Sequence, residues 1–242
     1  MARSLSSSPA PLASEQQIAT LLQQSASVRG ERWFSQFGRA RINLGSNYRF
    51  KQFHGELALL VPLDESCSRP LTFSQLGIHY YDSQPVANIG LGRRHLIQDW
   101  LVGYNAFLDQ HLKRPHSRLG VGAELWRDYL KFSGNGYFAV SGWKESKKVE
   151  GYQEKAASGF DLRAQGYWPS YPHLGAHLLF ENYFGDQVAL FDKQREDRQK
   201  NPLAATLGIH YTPVPLFTIG VDHKIGRKSK KETRLTLQFD YL

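Results

Sequence analysis

From residue 39 onward, apolar residues recur at every second position, and polar residues or glycines fill the positions between them. In residues 119–125, for example, leucine, valine, alanine and leucine alternate with Gly120, Gly122 and Glu124. A β-strand places successive side chains on opposite faces, so a period of two predicts strands with one apolar face and one polar face. No helical periodicity interrupts this pattern. The sequence therefore predicts an all-β fold from residue 39 to the end of the chain.

The alternation divides into twelve segments, each near the about 9–11 residues that a tilted membrane strand needs. The predicted strands are 39–50, 55–62, 71–82, 86–97, 99–110, 116–128, 132–144, 157–168, 173–184, 202–212, 216–225 and 232–242. The strand at 132–144 alternates least cleanly, because Phe138 and Val140 compete with Tyr137 and Trp143 for its apolar face. An even number of strands of this length is typical of an outer-membrane barrel.

The chain has no segment that could cross a membrane as a helix. Its longest apolar stretch, residues 57–63, includes a proline and is far shorter than the about 20 residues that a membrane helix needs. The mean hydropathy is −0.46. A transmembrane β-barrel is compatible with both observations, because its strands alternate apolar and polar residues and average to a polar composition.

The connections between the predicted strands differ in length according to their order. The long, polar connections are 144–156, 184–201 and 224–232, and the tight ones are 97–100, 129–131 and 212–215. The later odd-numbered connections are therefore long and the even-numbered ones mostly short. Outer-membrane barrels have this asymmetry, with short periplasmic turns and long extracellular loops. A soluble barrel or sandwich has no reason to sort its loops in this way.

The polar face of the strands carries ionisable and amide side chains between glycines. We expect these side chains to form a lumen-facing polar network of Arg94, Asn105, Asp109, Glu124, Asp161, Arg163 and Glu181. A soluble barrel of twelve strands would be too wide for side chains to fill. Inside a lipid-facing barrel, by contrast, opposite charges can pair across the lumen while the glycines leave room for them.

Aromatic residues cluster near the ends of the predicted strands. They are Trp100, Tyr129, Trp143, Tyr167, Trp168, Tyr183 and Tyr211. Transmembrane barrels place aromatic side chains at both membrane interfaces, so we expect these residues to form interfacial girdles.

The first 36 residues differ from the rest of the chain. They begin with a serine-, alanine- and proline-rich stretch that predicts disorder, followed by a possible short amphipathic helix at 14–28. We divide the chain into an N-terminal periplasmic segment, 1–36, and a barrel domain, 37–242. No apolar core of a secretory signal is visible, so the signal of an exported protein is expected outside this sequence. The single cysteine, Cys67, lies in a predicted loop and can form no intramolecular disulfide.

Two groups of residues resemble chemical motifs. Residues 87–94 combine glycines with arginines but lack the Gly-x-x-x-x-Gly-Lys-Ser/Thr spacing of a phosphate loop. We expect these glycines, and those at 120, 122, 134 and 136, to be strand glycines that leave room for luminal side chains, with a bulge at Asn135-Gly136 as the alternative. Glu124, Asp161 and Glu181 could supply glycosidase carboxylates, but nothing fixes their separation, and Arg163 among them favours a salt-bridge network.

A lipase active site at the barrel wall is a further alternative. Ser141, His177 and His210 could supply its serine and histidine, but no Gly-x-Ser-x-Gly elbow is present. We expect no enzymatic activity, no cofactor and no metal ion.

The net charge raises the question of nucleic-acid binding. Lysine and arginine number 30 against 22 acidic residues, so the formal charge is +8. The basic residues concentrate in 144–148, 193–200 and 224–231, all predicted loops without a base-reading motif. We expect no nucleic-acid partner. Loops above an outer membrane would instead meet lipopolysaccharide phosphates, and solvated loops without a special partner remain an open alternative.

An ordered series of short segments resembles the β-domain of the intimin and invasin family, the inverse autotransporters of Gram-negative outer membranes. These segments are 73–75 (FSQ), 88–94 (NIGLGRR), 103–109 (GYNAFLD), 118–129 (RLGVGAELWRDY), 133–137 (SGNGY), 142–144 (GWK), 188–191 (VALF), 201–202 (NP) and 211–216 (YTPVPL). The resemblance runs from about Trp33 to Leu242. The whole series in this order is specific to the family, whereas no single segment would suffice.

The resemblance implies an all-β, twelve-stranded antiparallel transmembrane barrel with both termini on the periplasmic side. In the family, the barrel assembly machinery inserts the barrel, and the segment after the last strand threads back through the lumen to an extracellular passenger. By this resemblance, lumen-facing residues would contact the threaded segment without performing chemistry. They are Arg94, Asn105, Asp109, Glu124 and Arg163.

The resemblance predicts an outer-membrane barrel that anchors and exports a C-terminal adhesin passenger in adhesion or invasion. Its expected partners are outer-membrane lipid, lipopolysaccharide, the barrel assembly machinery and the protein's own passenger. The predicted final strand reaches Leu242, and the passenger is not present in this sequence. The alternative is a barrel without a passenger that acts as a narrow pore or a surface-structure factor.

Overall fold

The computed structural model describes residues 2–3, 39–47, 53–64, 70–81, 84–113, 116–145, 153–191, 198–214 and 216–241. Most of these residues belong to twelve long strands. The strands are β1 (Arg39–Asn47), β2 (Phe53–Pro62), β3 (Leu71–Tyr81), β4 (Gln84–Ile97), β5 (Trp100–His111), β6 (Ser117–Arg127), β7 (Leu130–Ala139), β8 (Ser158–Trp168), β9 (Tyr171–Phe184), β10 (Leu203–Val214), β11 (Phe217–Gly226) and β12 (Lys231–Tyr241). The predicted number of strands is confirmed.

The twelve strands form one closed antiparallel barrel, in which each strand pairs with its two neighbours in the chain order. The last strand closes onto the first, with Tyr241 opposite Ala40 and Arg234 opposite Asn47. Closure gives every strand a hydrogen-bonding partner on both sides. Water cannot hydrogen-bond to backbone groups in the hydrocarbon of a membrane. A β-sheet there must therefore pair all of its amides and carbonyls between strands, which only a closed barrel does.

The two faces of the wall are sorted by the alternation of the sequence. On β6, Leu119 and Val121 are 42% and 45% exposed on the outer wall, whereas Arg118 and Glu124 are buried on the inner face. An apolar outside and a charged inside reverse the arrangement of a soluble protein and suit a surface that meets lipid. Among the described residues, no helix combines the length and apolar character needed to cross a membrane.

The two rims of the barrel differ in their connections. The short-turn rim carries the ends of β1 and β12 and the two-residue turns 98–99, 128–129 and 169–170. Gln98 and Asp128 have φ values of 54° and 45°, the left-handed backbone that lets a hairpin close in two residues. The long-loop rim carries the connections from β7 to β8 and from β9 to β10. The predicted sorting of loops by order is confirmed for these connections.

Two connections differ from the prediction. The residues 224–232 were expected to form a long loop, and this expectation is wrong, because Lys224 lies inside β11 and only a 3₁₀ turn, Arg227–Ser229, separates β11 from β12. The link from β2 to β3 is an even-numbered connection but not a two-residue turn. There the Leu63 amide donates to the Thr72 carbonyl at 2.9 Å, and Asp64 accepts the Thr72 amide at 2.7 Å. Hydrogen bonds from the Thr72 side chain and then from its amide lower the pKa of Asp64.

The strand predicted at 132–144, which alternates least cleanly, ends earlier than expected. Strand β7 ends at Ala139, and Trp143 lies beyond it. Phe138 is 54% exposed on the outer wall, whereas Tyr137 is 1% exposed and faces inward. The competition between the two aromatic residues is therefore settled in favour of Phe138 as the lipid-facing one.

Two short strand pairs lie outside the barrel ladder. Lys144–Glu145 pairs with Gln153–Glu154, and Ala2–Arg3 pairs in parallel with Val188–Ala189. Of the predicted N-terminal segment, only residues 2–3 are described. The helix predicted at 14–28 and the loop around Cys67 lie outside the described residues.

The outer wall yields a first prediction. Leu162 is 55% exposed near the middle of β8, so Leu162→Arg places a charge in hydrocarbon. We expect it to lower the free energy of unfolding by roughly 2–4 kcal/mol. The measurement is urea unfolding of the barrel in phospholipid vesicles.

The adjacent inward residue provides the control. Arg163→Leu removes a charge from the inner face of the same strand, and we expect the variant to insert into the vesicles. If both variants lost insertion equally, the assignment of the two faces would be wrong.

Candidate functional site

The candidate site is the lumen, the space that the twelve strands enclose. Five of the seven predicted network residues are almost fully buried on the inner face, with exposures of 1–7%: Arg94, Asp109, Glu124, Asp161 and Glu181. Asn105 and Arg163 are half-buried, and both occupy inward-facing positions in the alternation of their strands, β5 and β8. Strong ion pairs divide these residues into separate clusters.

The first cluster surrounds Arg94 near the short-turn rim. Arg94 Nε donates to Glu124 Oε1 at 2.5 Å, and Arg94 Nη2 donates to Glu124 Oε2 at 3.3 Å. The Arg94 guanidinium also lies 4.4 Å from the centroid of the Phe73 ring and 4.6 Å from that of Trp126. A two-point ion pair between two aromatic faces holds this arginine through several charge-assisted contacts at once.

Arg94 and Glu124 belong to strands that are not adjacent. The register places Arg94 opposite Gly103 of β5, and Gly103 opposite Glu124 of β6. A Cβ atom at Gly103 would overlap the Glu124 side chain. The glycine therefore lets the ion pair cross the intervening strand.

The second cluster surrounds Asp109, above the first one toward the long-loop rim. Asn88 Nδ2 donates to Asp109 Oδ1 at 2.6 Å, and Arg118 Nη2 donates to Asp109 Oδ2 at 2.7 Å. The Arg118 guanidinium packs on the ring of Tyr137, 4.1 Å from its centroid. Both carboxylate oxygens are thus satisfied, as a buried charge requires.

Two further acids complete the ordered part of the lumen. Asp161 accepts hydrogen bonds from the Tyr137 hydroxyl at 2.5 Å and from Asn135 Nδ2 at 2.9 Å. Glu181 Oε1 lies 3.0 Å from Lys224 Nζ, and both of these side chains are nearly inaccessible. Both acids therefore have hydrogen-bonding partners on nearby strands.

The remaining two network residues contrast with these paired groups. Asn105 Oδ1 and Arg163 Nε are buried, and within the described part of the chain neither atom has a hydrogen-bond partner. Both atoms are inaccessible, and Asn105 Oδ1 lies over Gly122 of the neighbouring strand β6.

Inward glycines make room for the large side chains. A Cβ would overlap the Phe73 ring at Gly92, the Phe107 ring at Gly120 and the Tyr183 side chain at Gly159. The expected role of strand glycines is therefore confirmed at Gly92, Gly120 and Gly159. It is wrong at Gly134 and Gly136, whose nearest side chains are Leu162, Phe138 and Val121 of the outer wall.

The aromatic girdle expectation holds in part. Tyr129, Trp168 and Tyr211 are 37%, 65% and 40% exposed near the short-turn rim. Tyr183 is fully buried in the lumen, and Tyr167 contacts the His210 ring there, 5.1 Å between centroids. The expectation is wrong for these two tyrosines because their positions in the alternation face inward.

Sequence reasoning missed three principal lumen residues: Arg118, Tyr137 and Lys224. Arg118 shares the phase of Gly120, Gly122 and Glu124 and could have been found from that alternation. Lys224 begins a run of basic residues whose composition is typical of a solvated loop, so its position on the inner face was not recognised.

The candidate lipase residues Ser141 and His177 have different partners in the structure. Ser141 Oγ accepts the Ser117 amide at 3.0 Å, whereas His177 lies 3.5 Å from Asp222 and contacts the ring of His210. In the described ranges, no group of three or more histidine, cysteine, aspartate or glutamate residues is placed to hold a metal ion.

Comparison with known proteins relates this chain to outer-membrane adhesins. A family model described as the inverse autotransporter β-domain matches residues 4–242. Intimin of Escherichia coli O127:H6 is 44% identical over 89% of the chain, and invasin of Yersinia enterocolitica is 39% identical over 92%. The chain covers 22% of that intimin and 26% of that invasin, so it spans about a quarter of their length.

One relative is closer in length. An attaching and effacing protein homolog of Escherichia coli K12 is 44% identical over 88% of the chain, and the chain covers 71% of it.

Solved structures agree with the fold. A chain from work on the in-meso crystallization of membrane proteins is 44% identical, with a TM-score of 0.79 over 85% of this chain and 83% of that one. The KdgM porin, only 6% identical, has a TM-score of 0.55 over 84% of this chain and 99% of that one, a likeness of fold alone.

The lumen generates a second prediction. Gly103→Ala puts a Cβ where the Glu124 side chain lies, so the Arg94 ion pair must shift. We expect the free energy of unfolding in detergent micelles to fall by about 1–3 kcal/mol, the usual cost of overpacking.

Gly136→Ala is the matched control, because the new Cβ would meet only ordinary contacts on the outer wall. We expect its stability to be unchanged or slightly higher, since alanine restricts the unfolded chain more than glycine does. Equal losses in the two variants would contradict the role assigned to Gly103.

Proposed function

The chain belongs to the inverse autotransporter β-domain family, and on that premise we propose that its barrel anchors and exports a C-terminal adhesin passenger in adhesion or invasion. The family and the closed barrel make it a Gram-negative outer-membrane protein. Its short-turn rim faces the periplasm and its long-loop rim faces the outside, as in other outer-membrane barrels.

The observation that carries the proposal is the position of the last strand relative to the lumen. Tyr241 pairs with Ala40 at the short-turn rim, so any chain that continues past β12 starts on the periplasmic side. The lumen is the route that leads from this rim to the other one inside a sealed wall. The half-buried, inward-facing side chains of Asn105 and Arg163 line this route with polar groups.

The paired clusters have a supporting role in this proposal. Arg94 with Glu124, and Asp109 with Arg118, are satisfied by the wall itself. Such pairs keep the lumen polar without binding a passing chain tightly. We propose that Asp161 and Glu181 act in the same way, and that no lumen residue performs catalysis.

The proposed partners follow from the surfaces of the barrel. The apolar outer wall contacts lipid, and exposed basic residues of the long-loop rim, such as Lys144 and Arg227, meet lipopolysaccharide phosphates. The barrel assembly machinery is proposed to insert the barrel, as it does in the family.

A barrel without a passenger, acting as a narrow pore or surface-structure factor, is the second candidate. It is favoured by the K12 homolog of which this chain covers 71%, because less than a third of that relative lies outside the matched region, whereas about three quarters of the intimin does.

The experiment is a surface-accessibility assay on the complete gene product. An epitope at the far C-terminus of the encoded protein is stained on intact cells, and a second epitope in the turn 169–170 reports the periplasmic rim. We expect staining of the C-terminal epitope on intact cells, and of the turn only after permeabilisation. If the C-terminal epitope also required permeabilisation while the barrel was folded, passenger export would be ruled out.

A further inference from the structure

One connection of the long-loop rim turns inward. Val188, Leu190 and Phe191, in the link between β9 and β10, are only 1%, 5% and 9% exposed. Connections usually run over the surface, where water satisfies their backbone groups. We call residues Val188–Phe191 the strap.

The strap lies against the inner face of the barrel. It belongs to one buried apolar cluster with Phe107 of β5, Tyr137 of β7, Tyr183 of β9 and Ala204 of β10. The Phe107 and Tyr137 rings are 5.8 Å apart, and those of Tyr137 and Tyr183 are 6.1 Å apart. Because these side chains point into the lumen from four strands, the strap occupies the mouth of the lumen at the long-loop rim.

A buried ion pair holds the strap to the wall. Lys224 Nζ donates to Glu181 Oε1 at 3.0 Å and to the Leu190 carbonyl oxygen at 3.4 Å. The same ammonium lies 5.0 Å from the centroid of the Phe191 ring. The Phe191 ring fills the space where Gly226 would carry a Cβ. The charge of Lys224 therefore joins a wall strand, β9, to the backbone and one side chain of the strap.

The strap is not part of the barrel ladder. Val188 exchanges backbone hydrogen bonds with Gln199 of the same connection, at 2.9 and 3.0 Å, and its neighbouring pairing is with Ala2–Arg3. It can therefore leave the lumen without breaking any hydrogen bond between barrel strands. Movement costs the burial of three apolar side chains, the contacts of Lys224 and the backbone pairing of Val188–Ala189 with Ala2–Arg3.

We propose that the strap is a movable closure of the extracellular mouth, held shut by Lys224, whose ammonium Glu181 orients toward the strap. It narrows the lumen when nothing passes and turns outward to admit an extended polypeptide. This inference rests on the proposed function for its purpose, because export is the event that requires a wider mouth. The closure itself is a property of the barrel and can be measured without a passenger.

The test is single-channel recording of the purified full chain in planar lipid bilayers. Glu181→Gln keeps the shape of the side chain but removes the charge that holds Lys224. We expect the fraction of time in the open state to rise roughly tenfold, because a neutral amide accepts from the Lys224 ammonium more weakly than a carboxylate does and so orients it less firmly toward the strap. An open fraction equal to that of the wild type would overturn the proposal.

Asp186→Asn is the matched control. Asp186 lies in the same connection and pairs with Lys200 at 3.2 Å, but both of these side chains are exposed. We expect this variant to behave as the wild type. An equal rise in both variants would show that loop charge in general sets the conductance and would also overturn the proposal.

A tether provides a measurement that does not depend on the folding of Glu181→Gln. The far end of the Phe191 ring meets the position of a Cβ at Gly226, so the two Cβ atoms are about one ring length apart, too far for a direct disulfide. In a Cys67→Ser background, Phe191→Cys and Gly226→Cys are therefore joined by a short bis-methanethiosulfonate reagent, which fixes the strap to β11 through reducible bonds. Cross-linking should abolish openings and a reductant should restore them. Openings that persist in the cross-linked barrel would show that the strap does not close the mouth. Because no passenger is involved, failure of this test and failure of export are separate results.

Discussion

A polypeptide in hydrocarbon must pair every backbone amide and carbonyl with another backbone group, because no water is available to replace a missing partner. This chain meets that condition by pairing β12 with β1 and so removing both sheet edges. The other features follow from closure. Alternating side chains are divided between lipid and lumen, both ends of the barrel chain lie at one rim, and the connections are sorted between the two rims.

Closure brings large inward side chains of neighbouring strands against one another on the inner face. Glycines on the inner face relieve the crowding, so that a ring or a carboxylate of one strand can lie over its neighbour, as Phe107 does at Gly120. The charges are buried, and single charges in such a place would be costly. Glu124 and Asp109 each have an arginine partner, and Glu181 has Lys224. The lumen is therefore polar yet largely self-satisfied, a surface that can line a passage without trapping what passes.

Much of this fold could be predicted from the sequence, because the period of two reports directly which side chain faces which environment. Twelve strands, the lipid-facing role of Leu162 and the inward position of Glu124 all follow from alternation. The partners could not be predicted in the same way. The Arg94–Glu124 pair crosses an intervening strand, and its existence depends on register and on Gly103. The inward turn of Val188–Phe191 was also not predicted. A short apolar segment within a polar connection lacks the alternation that would indicate which way its side chains face. Lys224 was misassigned to a loop for the related reason that basic residues follow it.

The central claim is that the chain forms a closed barrel in the outer membrane, and the electrophoretic mobility of the detergent-extracted protein tests it most directly. A closed barrel keeps its compact shape in dodecyl sulfate until it is heated. We predict that the protein leaves the outer-membrane fraction only with detergent, and that unboiled samples migrate faster than boiled ones. Folded protein that dissolves without detergent, or that migrates identically before and after boiling, would contradict the account.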